Sequence, residues 1–222
     1  MPGGKIKYFI ILGLLYGCAN FSAPHPTILP NGTTARINKS IHTWKEFLEQ
    51  NVVMQQTDYS CGAGAMATLI HYYFEDDITE KIILQDISSH LNADEMKNRK
   101  KDGFSMFDLQ QFAKRRGYKA VGVKLKPATL RKLRGPVLVY VETKGYKHFS
   151  VLRGVKDNLV FLADPSRGNL RMSIEDFTKE WSGITLVLGK KGFGTPTEHK
   201  LSIKEHELIR NELRIVRNVL FH

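Results

Sequence analysis

Cys61 stands in the run Ser60-Cys61-Gly62-Ala63-Gly64-Ala65-Met66, where a thiol meets the start of an apolar, helix-spaced segment. A thiol attacks a carbonyl carbon only as thiolate, and a free cysteine ionises near pH 8.5. The unsatisfied N–H groups and positive dipole end of a helix N-terminus favour the anion, as does a neighbouring imidazolium. Gly62, Ala63 and Gly64 are small enough to let a substrate backbone approach, which makes them candidate substrate-binding residues. The competing account of Cys61 is a packed, inert thiol, a common fate of free cysteine.

Such a nucleophile needs a base, and the base needs a third group to fix its tautomer. His148 opens the β-prone run His148-Phe149-Ser150-Val151-Leu152, and Asp164 closes the next one, Leu162-Ala163-Asp164-Pro165. If the two runs form a hairpin, its register decides whether these side chains share a face. A two-residue turn at Asp157-Asn158 pairs Lys156 with Leu159 and puts His148 and Asp164 on opposite faces. A catalytic pair therefore requires a longer loop or a bulge. A donor for the oxyanion could come from Gln55 or Gln56, six and five residues before Cys61, acting with the Cys61 backbone N–H. Both glutamines could equally be solvated loop residues.

The elements that must position these groups follow from periodicity. Residues 61–74 read as a helix with Ala65, Met66, Leu69, Ile70 and Tyr73 on one face. Residues 80–91 read as a second, and a third starts at Ser105 with Asp108 three residues on, an acidic capping box, and ends at Gly117. A short helical turn is expected near 128–133. After Gly135-Pro136 the period changes, and strands are expected at 137–141, 148–155, 159–163 and 185–188. Helices first and strands after them point to an α+β domain with an antiparallel sheet. A C-terminal helix is expected from about 202 onward, where Leu208, Leu213, Ile215, Val216, Val219 and Leu220 recur.

Lys5 and Lys7 precede the apolar run 8–15, too short to span a bilayer but suited to a signal peptide. The run ends in Leu15-Tyr16-Gly17-Cys18, which resembles a bacterial lipobox, so Cys18 is the expected lipidation site. Tyr16 departs from the small or β-branched residue usual at that place. With Cys18 consumed, Cys61 is the leftover thiol of an exported chain, a sign of reactivity or of intermolecular pairing. The expected organisation is a signal peptide over 1–18, a Pro- and Asn-containing linker over 19–45, a catalytic domain over 46–192 and a helical extension over 193–222.

The chain of 222 residues carries 33 basic and 22 acidic side chains, a formal net charge of +11. That excess suits acidic partners, but the bases are scattered and no nucleic-acid-binding pattern accompanies them, so nucleic acid is not expected as a partner. His199 and His206 are seven apart, and Asp76, Asp77 and Glu80 lack calcium-loop spacing, so neither metal nor cofactor is expected.

Taken together, residues 55–69 closely resemble the active-site segment of the bacteriocin-processing, double-glycine cysteine peptidases, which are papain-like. The resemblance continues through Gly103-Phe104-Ser105, Gly135-Pro136-Val137-Leu138-Val139, His148-Phe149-Ser150-Val151-Leu152 and Asp164-Pro165-Ser166-Arg167-Gly168, and reaches Phe177 and Trp181. It implies a papain-like fold and a Cys61–His148–Asp164 triad. It also implies Gln55 rather than Gln56 as oxyanion donor, a peptide or protein substrate, and cleavage after a small, often Gly-Gly, leader end. The best-known members are fused to an exporter with an ATPase. This sequence has no GxxxxGK[ST] phosphate loop and no second apolar span, and is similar instead to stand-alone exported members. The expectation is therefore a lipid-anchored peptidase of the bacterial cell envelope. The rival from another class is a non-catalytic peptide-binding lipoprotein on the same fold, and a third is a transglutaminase-like transferase using the same thiol.

Overall fold

A computed structural model describes residues 43–208 except 144, together with the backbone of two short strands, β1 (Thr27–Ile28) and β2 (Thr34–Ala35). β1 and β2 pair antiparallel and belong to a unit separate from the one that begins at His42. The signal-peptide and lipidation expectations, Cys18 included, lie outside the described residues.

The larger unit starts with α1 (Trp44–Glu49), set by a capping box between Thr43 and Glu46. Then come α2 (Cys61–Tyr72), α3 (Glu80–Ser89), α4 (Ala93–Asp102) and α5 (Met106–Arg115). A six-stranded sheet follows: β3 (Lys119–Lys124), β4 (Val137–Thr143), β5 (Tyr146–Lys156), β6 (Leu159–Asp164), β7 (Gly168–Ser173) and β8 (Trp181–Gly189). A 3-10 turn over Pro127–Lys132 and α6 (Ile174–Glu180) interrupt the strands, and α7 (Glu205–Leu208) closes the described chain. The strand order is β3-β8-β4-β5-β6-β7, with every neighbouring pair antiparallel.

Alternation along β4, β5 and β6 feeds two cores. On one face Leu138, Phe149, Val151 and Ala163 pack with Met66, Leu69 and Ile70 of α2 and with Leu109 and Phe112 of α5. On the other, Val139, Val141, Leu152, Val160 and Leu162 pack with Phe177 and Trp181 around α6. Helix α2 is buried at every position from Cys61 to Ile70, which explains its small residues: the neck of this helix is surrounded. Gly62 lies where an added Cβ would sit 3.1 Å from Leu109 Cδ1 and 3.2 Å from Phe149 Cδ2. A Cβ on Gly64 would sit 3.0 Å from Pro165 Cβ and 3.1 Å from the Val53 carbonyl oxygen.

The expected α+β order with helices on an antiparallel sheet is the observed one. Helix α5 has the expected box, with Ser105 Oγ accepting from the Asp108 N–H at 3.2 Å and Asp108 accepting from the Ser105 N–H at 2.7 Å. In the larger unit five elements were not anticipated: α1, α4, β3, β7 and α6. Helix α4 buries no residue, so it has no apolar stripe to read and rests on its Asn92–Glu95 capping box. β3 carries Gly122 in its middle and β7 is mostly polar, so neither shows strand composition. Of the expected C-terminal helix, α7 begins at Glu205 and residues after 208 lie outside the described part. Among the described residues no helix is long and apolar enough to cross a membrane.

Candidate active site

Cys61 is the first residue of α2, with Ser60 at the N-cap. The Ser60 side chain makes no cap bond to the helix; its hydroxyl donates to the Thr57 carbonyl at 2.8 Å, so it shapes the incoming turn instead. The thiol is buried and free. Burial pushes its ionisation upward, and the negative charge of Asp164 adds to this. Backbone N–H groups of Phe149 and Gly62 aimed at the sulfur pull the other way without overcoming it. Phe149 is the residue after His148, so the head of the helix abuts the β5 backbone there. The last paired residues of β5 and β6 are Val151 and Ala163, so β5 residues 146–149 run past the end of that partner. One N–H of this stretch is thereby available to the thiol.

The hairpin meets the register condition through a bulge. Asp157 and Asn158 have φ of 50° and 64°, the left-handed pair of a two-residue turn, and Lys156 lies opposite Leu159. Left uninterrupted, that register separates His148 from Asp164. The ladder instead shifts between Leu152 and Gly154, with Arg153 as the extra residue, so that Val151 lies opposite Ala163. One step further sets Asp164 across from Ser150, two residues from His148 and on its face. His148 Nε2 and Asp164 Oδ2 are 2.8 Å apart, with side chains 3% and 0% exposed.

Asp164 is held on all sides. Its Oδ1 accepts from the Ser166 N–H at 2.9 Å, the Ser166 hydroxyl at 2.6 Å and the Arg167 N–H at 3.1 Å. Its Oδ2 also accepts from Arg167 Nη2 at 2.9 Å. Burial opposes ionisation here, but the bonds from His148, Arg167 and Ser166 outweigh it and hold the carboxyl well below the usual carboxylate range. An ionised Asp164 accepts, so Nε2 of His148 is the donor in this pair. Nδ1 is buried and has no hydrogen-bond partner among the described residues.

Gln55 and Gln56 part company in the structure. Gln56 is exposed, and its N–H donates to Glu80 Oε1 at 3.2 Å. The Gln55 N–H donates to the Pro165 carbonyl at 2.8 Å, tying this loop to the turn that follows Asp164. Its side-chain Nε2 donates to the Thr57 carbonyl at 3.1 Å, and its Oε1 is buried without a partner. The Gln55 side chain also hydrogen-bonds the Tyr146 hydroxyl.

Gly62, Ala63 and Gly64, expected to bind substrate, are buried, and Gly62 and Gly64 allow the close approach of Leu109, Phe149, Pro165 and Val53. Tyr146, half exposed, stacks on His148 with ring centroids 5.5 Å apart and planes 29° apart, and its hydroxyl reaches the Asp58 carbonyl at 3.4 Å. Tyr146 was missed because the strand expected to open at His148 begins two residues earlier, and Arg167 carried no signal beyond its place in the turn. Gly168 closes that turn with φ +79°, and a Cβ there would lie 2.4 Å from the Leu48 carbonyl oxygen at the end of α1. Among the described residues no group of three or more His, Cys, Asp or Glu could hold a metal ion.

The model of the peptidase C39 family matches residues 49–192. The chain belongs to that family. It is 36% identical over 165 residues to the probable functional amyloid protease FapD of Pseudomonas fluorescens, covering 74% of this chain and 71% of that protein. The FapD of Pseudomonas aeruginosa is 31% identical over the same shares. Among solved structures, the peptidase domain of Streptococcus ComA superposes with TM-score 0.53 at 22% identity, covering 64% of this chain and all of that domain. A double-glycine-motif protease from a PCAT transporter, solved with its leader peptide, gives TM-score 0.52 at 24% identity over 62% of this chain and 89% of that one. As a C39 peptidase the chain is a cysteine peptidase, a hydrolase, on a papain-like fold.

Proposed function

We propose that this C39 peptidase cleaves a protein substrate in the cell envelope through Cys61, His148, Asp164 and Gln55. The observation that carries the reading is the imidazole of His148, locked to Asp164 through Nε2 while its buried Nδ1 has no partner. Nδ1 is the atom able to take the thiol proton as substrate arrives. Because burial holds the resting thiol protonated, proton transfer accompanies attack. The thiolate adds to the scissile carbonyl, and the oxyanion is met by the Cys61 N–H at the head of α2 and by the side-chain amide of Gln55. His148 returns the proton to the leaving amine, and water then releases the acyl group from sulfur. Asp164 stays ionised throughout and orients the imidazole.

The FapD relatives are named as probable functional amyloid proteases, and the substrate proposed here is accordingly a component of a functional-amyloid system. The PCAT neighbour was solved with a leader peptide. Cleavage after small residues such as Gly-Gly remains the proposed specificity. An anchor at Cys18, with the linker behind it, would hold the domain at the membrane, facing the periplasm or on the outer membrane. The test compares the peptide termini of envelope proteins from cells carrying Cys61 with those carrying Cys61→Ala. Termini that disappear in the variant support the reading; identical sets overturn it.

A further inference from the structure

Arg153 is the residue that the β5–β6 ladder leaves over, and it is buried rather than solvated. A guanidinium has five N–H donors in a planar fork, and here all five are used. Nε donates to the Leu201 carbonyl at 3.0 Å. Nη1 donates to Asn169 Oδ1 at 2.8 Å and Glu207 Oε1 at 2.7 Å. Nη2 donates to the Ser202 carbonyl at 3.0 Å and Glu207 Oε2 at 2.8 Å. Leu201, Ser202 and Glu207 all lie beyond the family match, which ends at 192. Asn169 in turn donates to the carbonyls of Leu48 at 3.1 Å and Gln50 at 2.7 Å, at the end of α1. Beside Arg153, Gly154 leaves room for Ile203, whose Cδ1 would be 3.2 Å from an added Cβ.

A strand slides by one residue at little cost in backbone bonds, and every side chain then changes face. The turn at Asp157-Asn158 is compatible with an unbulged ladder, and that ladder separates His148 from Asp164. Something outside the hairpin must hold the extra residue in place. We propose that Arg153 is a positioning residue of the peptidase reaction, and that residues 201–207 form a clasp which pins the β5 bulge and so keeps His148 and Asp164 on one face. The buried guanidinium exists in this fold only where the bulge projects it into the clasp, and a slipped strand would strand its five donors. The catalytic meaning of the clasp rests on the triad proposed above; the geometry it holds does not.

The experiment uses the full chain and two readouts. In proton NMR, the Nε2–H of His148 bonded to a buried carboxylate gives a downfield imidazole resonance, identified by its loss in Asp164→Asn. That resonance is expected to vanish in Arg153→Met and to weaken in Glu207→Gln, the milder change should the first fail to fold. In peptide cleavage, Arg153→Met is expected to lower kcat about a hundredfold or more, as much as Asp164→Asn alone, with KM within about twofold, the pattern of lost transition-state stabilisation. Adding Asp164→Asn to Arg153→Met should lower kcat no further, because the coupled contact is already gone. An unchanged resonance in a folded Arg153→Met or Glu207→Gln protein overturns the clasp, as does full additivity with Asp164→Asn. Loss of the resonance in Arg153→Met, with cleavage indifferent to both Cys61→Ala and Asp164→Asn, upholds the clasp and instead sinks the triad.

Discussion

Helix α2 carries the proposed nucleophile and the β5–β6 hairpin the proposed base, and the two are positioned with very different amounts of help. Cys61 is set by its own neighbourhood: a turn made by Thr57 and Ser60, a helix that starts on the thiol, and small residues that let the helix neck sink between α5 and the sheet. His148 and Asp164 are set from a distance, by a bulge whose extra residue is bonded to a segment about fifty positions further along. The setting of Cys61 is thus encoded in a dozen consecutive residues, while the His148–Asp164 contact is encoded in the agreement of three separate stretches of chain.

The largest expected effect removes the local side of this contrast. Cys61→Ala should abolish cleavage, a loss of about four orders of magnitude or more, while the thermal midpoint moves by only a few degrees, as suits loss of one buried sulfur. A variant that still cleaves would transfer the chemistry elsewhere. Asp164→Asn comes next, with kcat expected to fall about a hundredfold to ten-thousandfold as the imidazole loses its orienting partner. Gln55→Ala should cost about a hundredfold in kcat, the usual loss for one oxyanion donor, with Gln56→Ala close to wild type as its internal control.

Acid should separate the two regions by stability. Asp164 ionises more readily in the folded state than in the unfolded one, so its contribution is present above the unfolded value of about 3.9 and fades as pH falls below it. Denaturant midpoints between pH 5 and pH 2 should drop less steeply in Asp164→Asn than in wild type; parallel curves would detach the carboxylate from folding. The smallest change is Gly62→Ala, expected to cost about 1–3 kcal/mol through overpacking against Leu109 and Phe149. A midpoint equal to wild type would mean that the helix neck has slack, and the contrast would soften.

The same contrast decides what could be read in advance. The head of α2, the capping box at Ser105 and the apolar strands were legible because each rests on a local pattern. The condition on the hairpin was legible as a condition: turn length and residue parity required a bulge or a longer loop, though not its place. Arg153 gave no hint, since an arginine in a strand looks like any solvated cation until its five acceptors are in view. Helix α4 stayed hidden for the opposite reason, having no buried side to betray it. The burial of Gly62, Ala63 and Gly64 was not legible, because smallness serves close packing as readily as access.

Gly168 carries a consequence for reading other chains. Any side chain at this point would collide with a main-chain oxygen of α1, and main chain yields far less readily than a rotamer. In a relative that bears a larger residue at the corresponding place, whatever precedes its catalytic domain must take another path. One letter in an alignment would therefore sort these enzymes by how their leading segment is routed, without a further structure being solved.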